Sequence, residues 1–201
     1  MASSPTDIRT LDIEGLKAAA VQLGQPAFRG KQIAEWLWTK GATRFEDMTN
    51  LPQAFRTSLA AEYLLAPIRA EEEQVSRDGT VKCAFPIETG KVVEGVLIPA
   101  KDRMTACISS QVGCSLSCAF CATGKLKLMR NLTAGEIVDQ VRHIAELAER
   151  HHDHRLTNIV YMGMGEPLLN YRNVLESVDL ITGTPGLGMR QQRINISTAA
   201  S

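Results

Sequence analysis

The chain has 201 residues, no formal net charge at pH 7 and 44% hydrophobic residues, which is the composition of a globular protein with one large domain or two small ones. No stretch approaches the roughly 20 consecutive apolar residues of a membrane span, and the polar N-terminus lacks the apolar core of a signal peptide. We therefore expect a cytoplasmic protein with no membrane partner, in which clustered cysteines bind metal or do chemistry rather than form disulfides.

The first third of the chain is predicted to form a small helical accessory domain, residues 1–65. Helical patterns cover residues 13–23, 29–40 and 51–64. Ile33, Trp36 and Leu37 share one face of the second predicted helix. Trp36 and Trp38 are interpreted as packing residues, not as platforms on which bases stack.

Residues 66–102 are predicted to form a β-hairpin or meander that links the helical domain to the rest of the chain. Their β-branched runs are separated by Asp-Gly at 78–79 and Thr-Gly at 89–90, which are turn signals between strands. Cys83 lies on one of these strands and is interpreted as a small buried apolar residue.

Strands and helices alternate in the remainder of the chain, residues 103–201. The predicted strands are residues 104–109, 158–162 and 193–197. Thr133 and Glu136 form a capping box that begins the first helix, and an apolar stripe from Val174 predicts the second. This alternation predicts a parallel sheet with right-handed crossovers. Three β–α units leave one sheet edge and one face uncovered, so we expect the sequence to be a piece of a longer enzyme or to need a partner.

Cys114, Cys118 and Cys121 form a C-x3-C-x2-C array, and Cys107 lies just upstream. A disulfide frame is disfavoured because three thiols cannot pair evenly. Structural zinc usually takes four ligands from two short cysteine pairs, and no second pair exists here, although Cys107 could be a fourth ligand. Cysteine thiolates also hold 4Fe–4S clusters, one per iron, so three ligands would leave one iron open to a substrate. We favour the cluster.

A second motif, GMGEPLLN, follows the predicted strand at 158–162. Gly163 and Gly165 permit close backbone approach at the carboxyl end of that strand, where α/β folds bind ligands. Glu166 adds a carboxylate there, and Pro167 helps to fix the turn. Taken alone, the motif would also fit an ordinary β–α turn with a solvated acid.

The segments CISSQVGCSLSCAFCATGK, VYMGMGEPLLNY and INIST together resemble the RlmN family of radical S-adenosylmethionine (SAM) enzymes, which methylate C2 of adenosine in RNA. FRGKQIAEWLW and DGTVKCAFPIETGKVVEGVLIP are similar to that family's accessory domain and linking β region. The resemblance implies an α/β fold: a partial radical-SAM (β/α)6 barrel of three β–α units, preceded by the helical domain and the antiparallel region. It also implies a 4Fe–4S cluster and S-adenosylmethionine as cofactors.

Family members act on one adenosine of 23S rRNA and, in many bacteria, on a tRNA adenosine beside the anticodon. The resemblance therefore implies 23S rRNA and tRNA as partners, together with a one-electron reductant such as flavodoxin. Lys125, Lys127 and Arg130 lie beside the cysteines and could meet RNA phosphate. A solvated basic turn is the alternative interpretation of these three residues.

The resemblance also implies roles for individual residues. Three thiols would bind the cluster: Cys114, Cys118 and Cys121. Three residues would contact S-adenosylmethionine: Gly165 and Glu166, after the second parallel strand, and Ser197, on the third. Two residues would be catalytic: Cys107, which would resolve a covalent enzyme–RNA intermediate, and Glu94, which would accept a proton.

One part of the family pattern is missing from this sequence. The family carries a methyl-accepting cysteine near its C-terminus, and its reaction leaves a disulfide that must be reduced, whereas this sequence has no cysteine after Cys121. We therefore expect the chain not to complete the methyl transfer by itself. Two alternatives stay open: the antibiotic-resistance relative that methylates C8 of the same ribosomal adenosine, and a non-catalytic cluster-binding remnant.

Overall fold

The structure is a computed structural model that describes three stretches of the chain: residues 5–87, 90–116 and 118–199. These residues divide into two compact units. The first unit contains residues 5–67 and Leu180–Gly188, and the second contains Ile68–Asp179 and residues 189–199. Within the described stretches, no helix is long and apolar enough to cross a membrane.

The first unit contains three α-helices and a two-stranded parallel ladder. Its elements in chain order are β1 (Thr6–Asp7), α1 (Ile13–Gln22), α2 (Arg29–Ala34), α3 (Gln53–Glu62) and β2 (Tyr63–Leu64). The three predicted helices are confirmed. The Asp12 carboxylate caps α1 by accepting the N–H of Gly15 at 2.7 Å. The ladder is not predicted from the sequence, because each of its strands has only two residues and they lie at opposite ends of the helical region.

The second predicted helix does not continue as an α-helix to residue 40. A π-helical turn over Glu35–Lys40 follows α2. This geometry brings residues five apart onto one face, so Trp38, and not Trp36, joins Ile33 in the core. Trp36 is partly buried, and its Nε1–H donates to Asn50 Oδ1 at 2.5 Å. Trp38 is a packing residue of the core, as predicted, whereas the interpretation of Trp36 as a packing residue and not a stacking platform stays a prediction.

The second unit is built on a six-stranded sheet and a separate two-stranded sheet. In chain order its strands are β3 (Glu72–Val75), β4 (Val81–Ile87), β5 (Lys91–Ala100), β6 (Arg103–Cys107), β7 (Gln111–Val112), β8 (Arg130–Asn131), β9 (Asn158–Tyr161) and β10 (Ile194–Ile196). The large sheet has the order β10-β9-β6-β5-β4-β3, and β7 pairs with β8. Helix α4 (Ala134–His152) lies between β8 and β9 in sequence, and α5 (Tyr171–Thr182) lies between β9 and β10.

The predicted meander and the predicted parallel strands belong to one sheet. Strands β3 to β6 pair antiparallel in succession, whereas β6, β9 and β10 pair parallel. The predicted α/β fold is confirmed. In the described residues its parallel part has three strands, β6, β9 and β10, and two helices, α4 and α5, and β6 joins this part to the antiparallel strands. The first predicted turn is present, with Gly79 at φ +84°. The second includes residue 89, which lies outside the described residues.

The helices of the second unit pack on one face of the large sheet. The predicted capping box begins α4: Thr133 Oγ1 accepts the Glu136 N–H at 3.2 Å, and Glu136 Oε2 accepts the Thr133 N–H at 2.9 Å. Helix α4 packs on β5 and β6. Helix α5 is joined to β9 by a 2.7 Å hydrogen bond between the buried hydroxyl groups of Tyr161 and Ser177.

The sheet therefore has one covered face and one open face. The covered face buries mainly apolar side chains: Val81, Cys83, Phe85, Ile87, Val93, Leu97, Ala106, Ile159 and Tyr161. Full burial of one valine, leucine, isoleucine or phenylalanine side chain stabilises a fold by about 1.5–3 kcal/mol, so this face is a main source of stability. Cys83 is fully buried there, as predicted. The side chains that alternate with these residues lie on the open face.

Candidate active site

One cross-strand row crosses the open face of the sheet. Its members, each paired with the next, are Gln74, Lys82, Val96, Cys107, Val160 and Asn195. Directly paired residues lie on the same face of a sheet. Neighbouring strands are about 4.8 Å apart, so Lys82 and Cys107, two strands apart, lie about 10 Å from each other on the open face.

Glu94 lies on the open face, two residues before Val96 on β5. Its side chain is 47% exposed, and its Oε1 atom lies 2.5 Å from Lys82 Nζ in an ion pair. An ion pair this exposed stabilises the fold by no more than about 1 kcal/mol. The pair joins the Glu94 carboxylate to β4, whereas Cys107 lies on β6, the other neighbour of β5.

Cys107 ends β6 and is partly buried. Burial raises the pKa of its thiol above the ordinary value, and a hydrogen bond from the N–H of Met162 offsets this only in part. At neutral pH the side chain is therefore a protonated thiol, which needs a base before it can act as a nucleophile. All five cysteines of the chain are free thiols.

The C-x3-C-x2-C array lies in the loop between β7 and β8, which we call the cysteine loop (residues 113–129). Within this loop, the N–H of Cys121 donates to Cys118 O at 3.1 Å, and the N–H of Leu116 donates to Cys114 Sγ at 3.4 Å. Each of the three thiols is partly exposed. They are therefore accessible to a group that binds from outside the loop.

The three thiols fit an iron–sulfur cluster by their chemistry. Cysteine thiolates are the ligands of such clusters, and hydrogen bonds to the sulfur atoms, such as the one from Leu116 to Cys114, tune them. In the described part of the chain, no three thiol, imidazole or carboxylate groups converge closely enough to hold a metal ion. The structure thus places the thiols on one loop without gathering them, and the cluster assignment stays a prediction.

Residues 163–166, which we call the GMGE turn, follow β9. This turn packs against the segment that follows β6. A Cβ atom on Gly163 would lie 2.7 Å from the carbonyl oxygen of Ile108. Gly165 has φ +100°, and a Cβ there would lie 2.5 Å from Gln111 Cβ. Both positions therefore require glycine, because the segment after β6 lies where a Cβ atom would be, and Gly165 also has a positive φ.

Glu166 is almost fully buried at the end of this turn, with 6% of its surface exposed. Its Oε1 accepts the N–H of Leu168 at 3.0 Å, and its Oε2 accepts the N–H of Ala199 at 2.8 Å. Burial alone would raise the pKa of this carboxyl, but these two hydrogen bonds and one from the Thr198 side chain lower it below its ordinary value. Glu166 is therefore ionised at neutral pH and bonded to the segment after β10.

Two family models match the chain. The ribosomal RNA large subunit methyltransferase N-terminal domain matches residues 6–65, and the radical SAM superfamily matches residues 108–199. A curated relative from Cytophaga hutchinsonii, "Probable dual-specificity RNA methyltransferase RlmN", is 55% identical over 192 residues, which cover 96% of this chain and 53% of the relative. A relative of the same name from Salinibacter ruber is 42% identical over 203 residues, with 98% of this chain and 55% of the relative covered.

The chain belongs to the RlmN family. A solved structure agrees with this: the crystal structure of a radical SAM methyltransferase from Sphaerobacter thermophilus matches with a TM-score of 0.85 and 39% sequence identity, covering 98% of this chain and 58% of that one. The predicted family is confirmed. The chain spans about half the length of the curated relatives it matches.

Several residues that the RlmN resemblance singles out come together in the second unit. Glu94 and Cys107 share the open face of the sheet. Glu166 is bonded to Ala199, two residues after Ser197, which is exposed just beyond β10. The cysteine loop and the GMGE turn follow the carboxyl ends of the neighbouring strands β6 and β9, the edge at which open α/β sheets bind ligands.

The three basic residues beside the RlmN cysteines differ in their contacts. The guanidinium of Arg130 forms a bidentate pair with the Glu136 carboxylate, at 2.6 and 2.8 Å. Burial raises the pKa of Glu136, but the bonds from Arg130 and from the helix start lower it below its ordinary value. Arg130 therefore stabilises the start of α4. Lys125 and Lys127 are exposed and line a cavity of about 340 Å³ together with Lys91.

Two residues of the site are not predicted from the sequence: Lys82 and Gln111. In the sequence, Lys82 has the pattern of an exposed strand residue. Only the β4–β5 register shows that it lies beside Glu94. Gln111 is fully buried and bonds the backbone of Glu166. The sequence offers no signal for Gln111, because it follows two other polar residues, Ser109 and Ser110, and nothing local marks it as buried.

Proposed function

We propose that this chain forms the cluster- and cofactor-binding half of an enzyme that methylates C2 of adenosine in 23S rRNA and in tRNA. The register of the sheet carries the proposal. It puts a carboxylate, Glu94, and a thiol, Cys107, on one open face. Two candidate cofactor loops follow the strands at the carboxyl edge of that same sheet.

The cofactors would be held at this edge. Cys114, Cys118 and Cys121 would bind a 4Fe–4S cluster. Gly165, Glu166 and Ser197 would bind S-adenosylmethionine, and the ionised Glu166 would present negative charge to its ammonium group. Bound together, the cofactors supply the one-electron chemistry that adenine C2 requires, because this electron-poor carbon is a weak nucleophile.

The open face would handle the proton and the thiol chemistry. A Glu94 carboxylate oxygen would accept the hydrogen of adenine C2 as a proton, while Lys82 holds the carboxylate in place. Cys107 would lose its proton to a base, and its sulfur would then form a disulfide with the family's methyl-accepting cysteine. The bond from that cysteine's sulfur to the CH₂ carbon on the RNA would break, its electron pair would stay on the carbon, and the carbon would take up a proton to become the methyl group. A thiol reductant would then restore both thiols. This sequence has no cysteine after Cys121 that could accept the methyl group and then pair with Cys107.

RNA would approach over the cysteine loop and the open face. Lys91, Lys125 and Lys127 are exposed beside an apolar cavity, where they could contact phosphate groups. The target adenine would leave its stack to reach the site. A one-electron reductant such as flavodoxin would serve the cluster, and the cytoplasm would supply both RNA partners.

Anaerobic reconstitution with iron and sulfide, followed by electron paramagnetic resonance, tests the cofactor site. We expect a reduced 4Fe–4S signal that changes when S-adenosylmethionine is added. Cys118→Ser should lose the signal, whereas Cys83→Ala, which removes a buried thiol from the covered face, should keep it. Stoichiometric zinc in the wild type, or an intact cluster in Cys118→Ser, would refute the assignment.

RNA products test the reaction itself. The chain joined to the C-terminal half of the Cytophaga hutchinsonii relative should methylate 23S rRNA and tRNA, and nucleoside analysis should show 2-methyladenosine. Glu94→Gln in this chimaera should lower the yield while cluster content is unchanged. A product of 8-methyladenosine would instead support the resistance-type reaction.

A further inference from the structure

Gln111 connects the cysteine loop to the turn that carries Glu166. It is the first residue of β7, three residues before Cys114, and its side chain is fully buried. Its Oε1 accepts the N–H of Glu166 at 2.8 Å. Its Nε2 donates at 2.8 Å to Oδ1 of Asn131 on β8, where the cysteine loop ends. The Gln111 side-chain amide is thus hydrogen-bonded both to β8, at the C-terminal end of the cysteine loop, and to the GMGE turn.

The backbone around Gln111 contacts the same turn. The N–H groups of Ser110 and Gln111 donate to Met164 O at 2.9 and 3.2 Å. The N–H of Met164 donates to Ser109 Oγ at 2.8 Å. Gly165 approaches Gln111 so closely that the turn has no space for a side chain. The Gln111 side chain therefore lies at the centre of a continuous contact between the two loops.

Glu166 extends this connection to the last strand. Its backbone N–H is bonded to Gln111, and its carboxylate accepts the N–H of Ala199 after β10. Hydrogen bonds thus lead from Asn131 through Gln111 and Glu166 to Ala199. They join the segments that follow β6, β9 and β10, which are neighbours in the sheet.

The contacts of Gln111 explain why this residue type is needed. The side chain must accept one hydrogen bond and donate another, in a place where water cannot replace either. Glutamate would lack the donor, and leucine would leave the N–H of Glu166 without its partner. A change at Gln111 should therefore shift the Glu166 backbone, and with it the carboxylate.

We propose that Gln111 is a positioning residue that sets the Glu166 carboxylate and the end of β10 against the cysteine loop, so that one S-adenosylmethionine molecule contacts both. The identity of that ligand rests on the proposed function, whereas the mechanical link between the loops does not. Gln111 acts through Glu166, because its own side chain is fully buried.

Amide hydrogen exchange of the cofactor-free chain tests the link. Gln111→Leu is compared with Ser177→Ala, which removes a buried hydrogen bond elsewhere in the second unit. The N–H of Ala199 is bonded to Glu166 and not to Gln111, yet in Gln111→Leu it should exchange about tenfold faster. Ser177→Ala should leave Ala199 unchanged.

Unchanged exchange at Ala199 in Gln111→Leu would overturn the proposal, and so would equal acceleration in both variants. If the leucine variant does not fold, Gln111→Asn provides the same comparison, because it keeps both polar groups but shortens their reach. The expected acceleration at Ala199 is the same for that variant.

Cofactor binding tests what the link is for. After reconstitution, Gln111→Leu should hold as much iron as the wild type but bind S-adenosylmethionine about tenfold more weakly, with a smaller change in the resonance spectrum. Ser177→Ala should bind it like the wild type. Wild-type affinity in Gln111→Leu, despite faster exchange at Ala199, would overturn the positioning role. No binding by the wild type would refute the proposed function instead, and the exchange result would still decide whether Gln111 links the loops.

Discussion

Replacing Glu166 with glutamine should destabilise the second unit. The carboxylate accepts the Ala199 N–H at 2.8 Å and the Leu168 N–H at 3.0 Å, and only 6% of the residue is exposed. A hydrogen bond to a charged group contributes about 1.5–3 kcal/mol. Glutamine keeps one acceptor oxygen but directs an NH₂ group at the other donor. We therefore expect Glu166→Gln to lower the free energy of unfolding by about 2–3 kcal/mol.

The same substitution should remove a pH dependence of the unfolding free energy. The direction of that dependence follows from the hydrogen bonds to Glu166. Because they lower the pKa of Glu166 in the folded state, the unfolded chain binds the proton first as the pH falls. The stability contributed by Glu166 is therefore complete above the ordinary glutamate pKa of about 4.3 and is lost as the pH falls through the lower folded pKa. Glutamine has no such titration.

Urea unfolding of the wild type and Glu166→Gln, from about pH 7 down to about pH 3, measures this difference in unfolding free energy. The difference should be largest near neutrality and shrink as the pH falls. Glu94→Gln is the control, because its exposed carboxylate should contribute less than about 1 kcal/mol. A difference between wild type and Glu166→Gln that stays constant, or grows at low pH, would refute the reasoning.

Three further substitutions test the packing and charge contacts of the second unit. Arg130→Met should cost about 3 kcal/mol in urea unfolding, because it leaves the nearly buried Glu136 carboxylate without its bidentate partner; a cost below about 1 kcal/mol would mean that solvent screens the pair. Lys82→Met should change stability by less than about 1 kcal/mol in the same assay, because its ion pair with Glu94 is about half exposed. A larger loss would show that the pair supports the fold. Phe85→Ala should cost about 3–5 kcal/mol in thermal unfolding, because the ring is fully buried on the covered face; a cost near 1 kcal/mol would mean that neighbours refill the space.

Features set by a few consecutive residues could be predicted from the sequence. The capping box of Thr133 and Glu136 begins α4 because both hydrogen bonds close within four residues. The burial of Cys83 follows from strand alternation, which depends only on a two-residue period. The family could be predicted from contiguous segments such as CISSQVGCSLSCAFCATGK, VYMGMGEPLLNY and INIST, because each can be compared with the family without knowing the fold.

Geometry inside the first unit shows where local patterns stop being sufficient. An α-helical period places Trp36 beside Ile33, whereas the π-helical turn over Glu35–Lys40 brings Trp38 there. The choice between these turns depends on what packs against the helix, and the residue pattern alone does not contain that information. The β1–β2 ladder is missed for a similar reason, since two-residue strands have no period to detect.

The sequence by itself thus determined the order of the longer strands and helices, the start of α4, the burial of Cys83 and the three thiols on one loop. Only the tertiary structure decided that the meander and the parallel strands form one sheet, that Lys82 meets Glu94 on the face of Cys107, and that Gln111 bonds Glu166. The physical reason is that helix caps and strand alternation arise from neighbours in the chain. Register and buried polar contacts are instead set by how the covered faces of distant segments pack together.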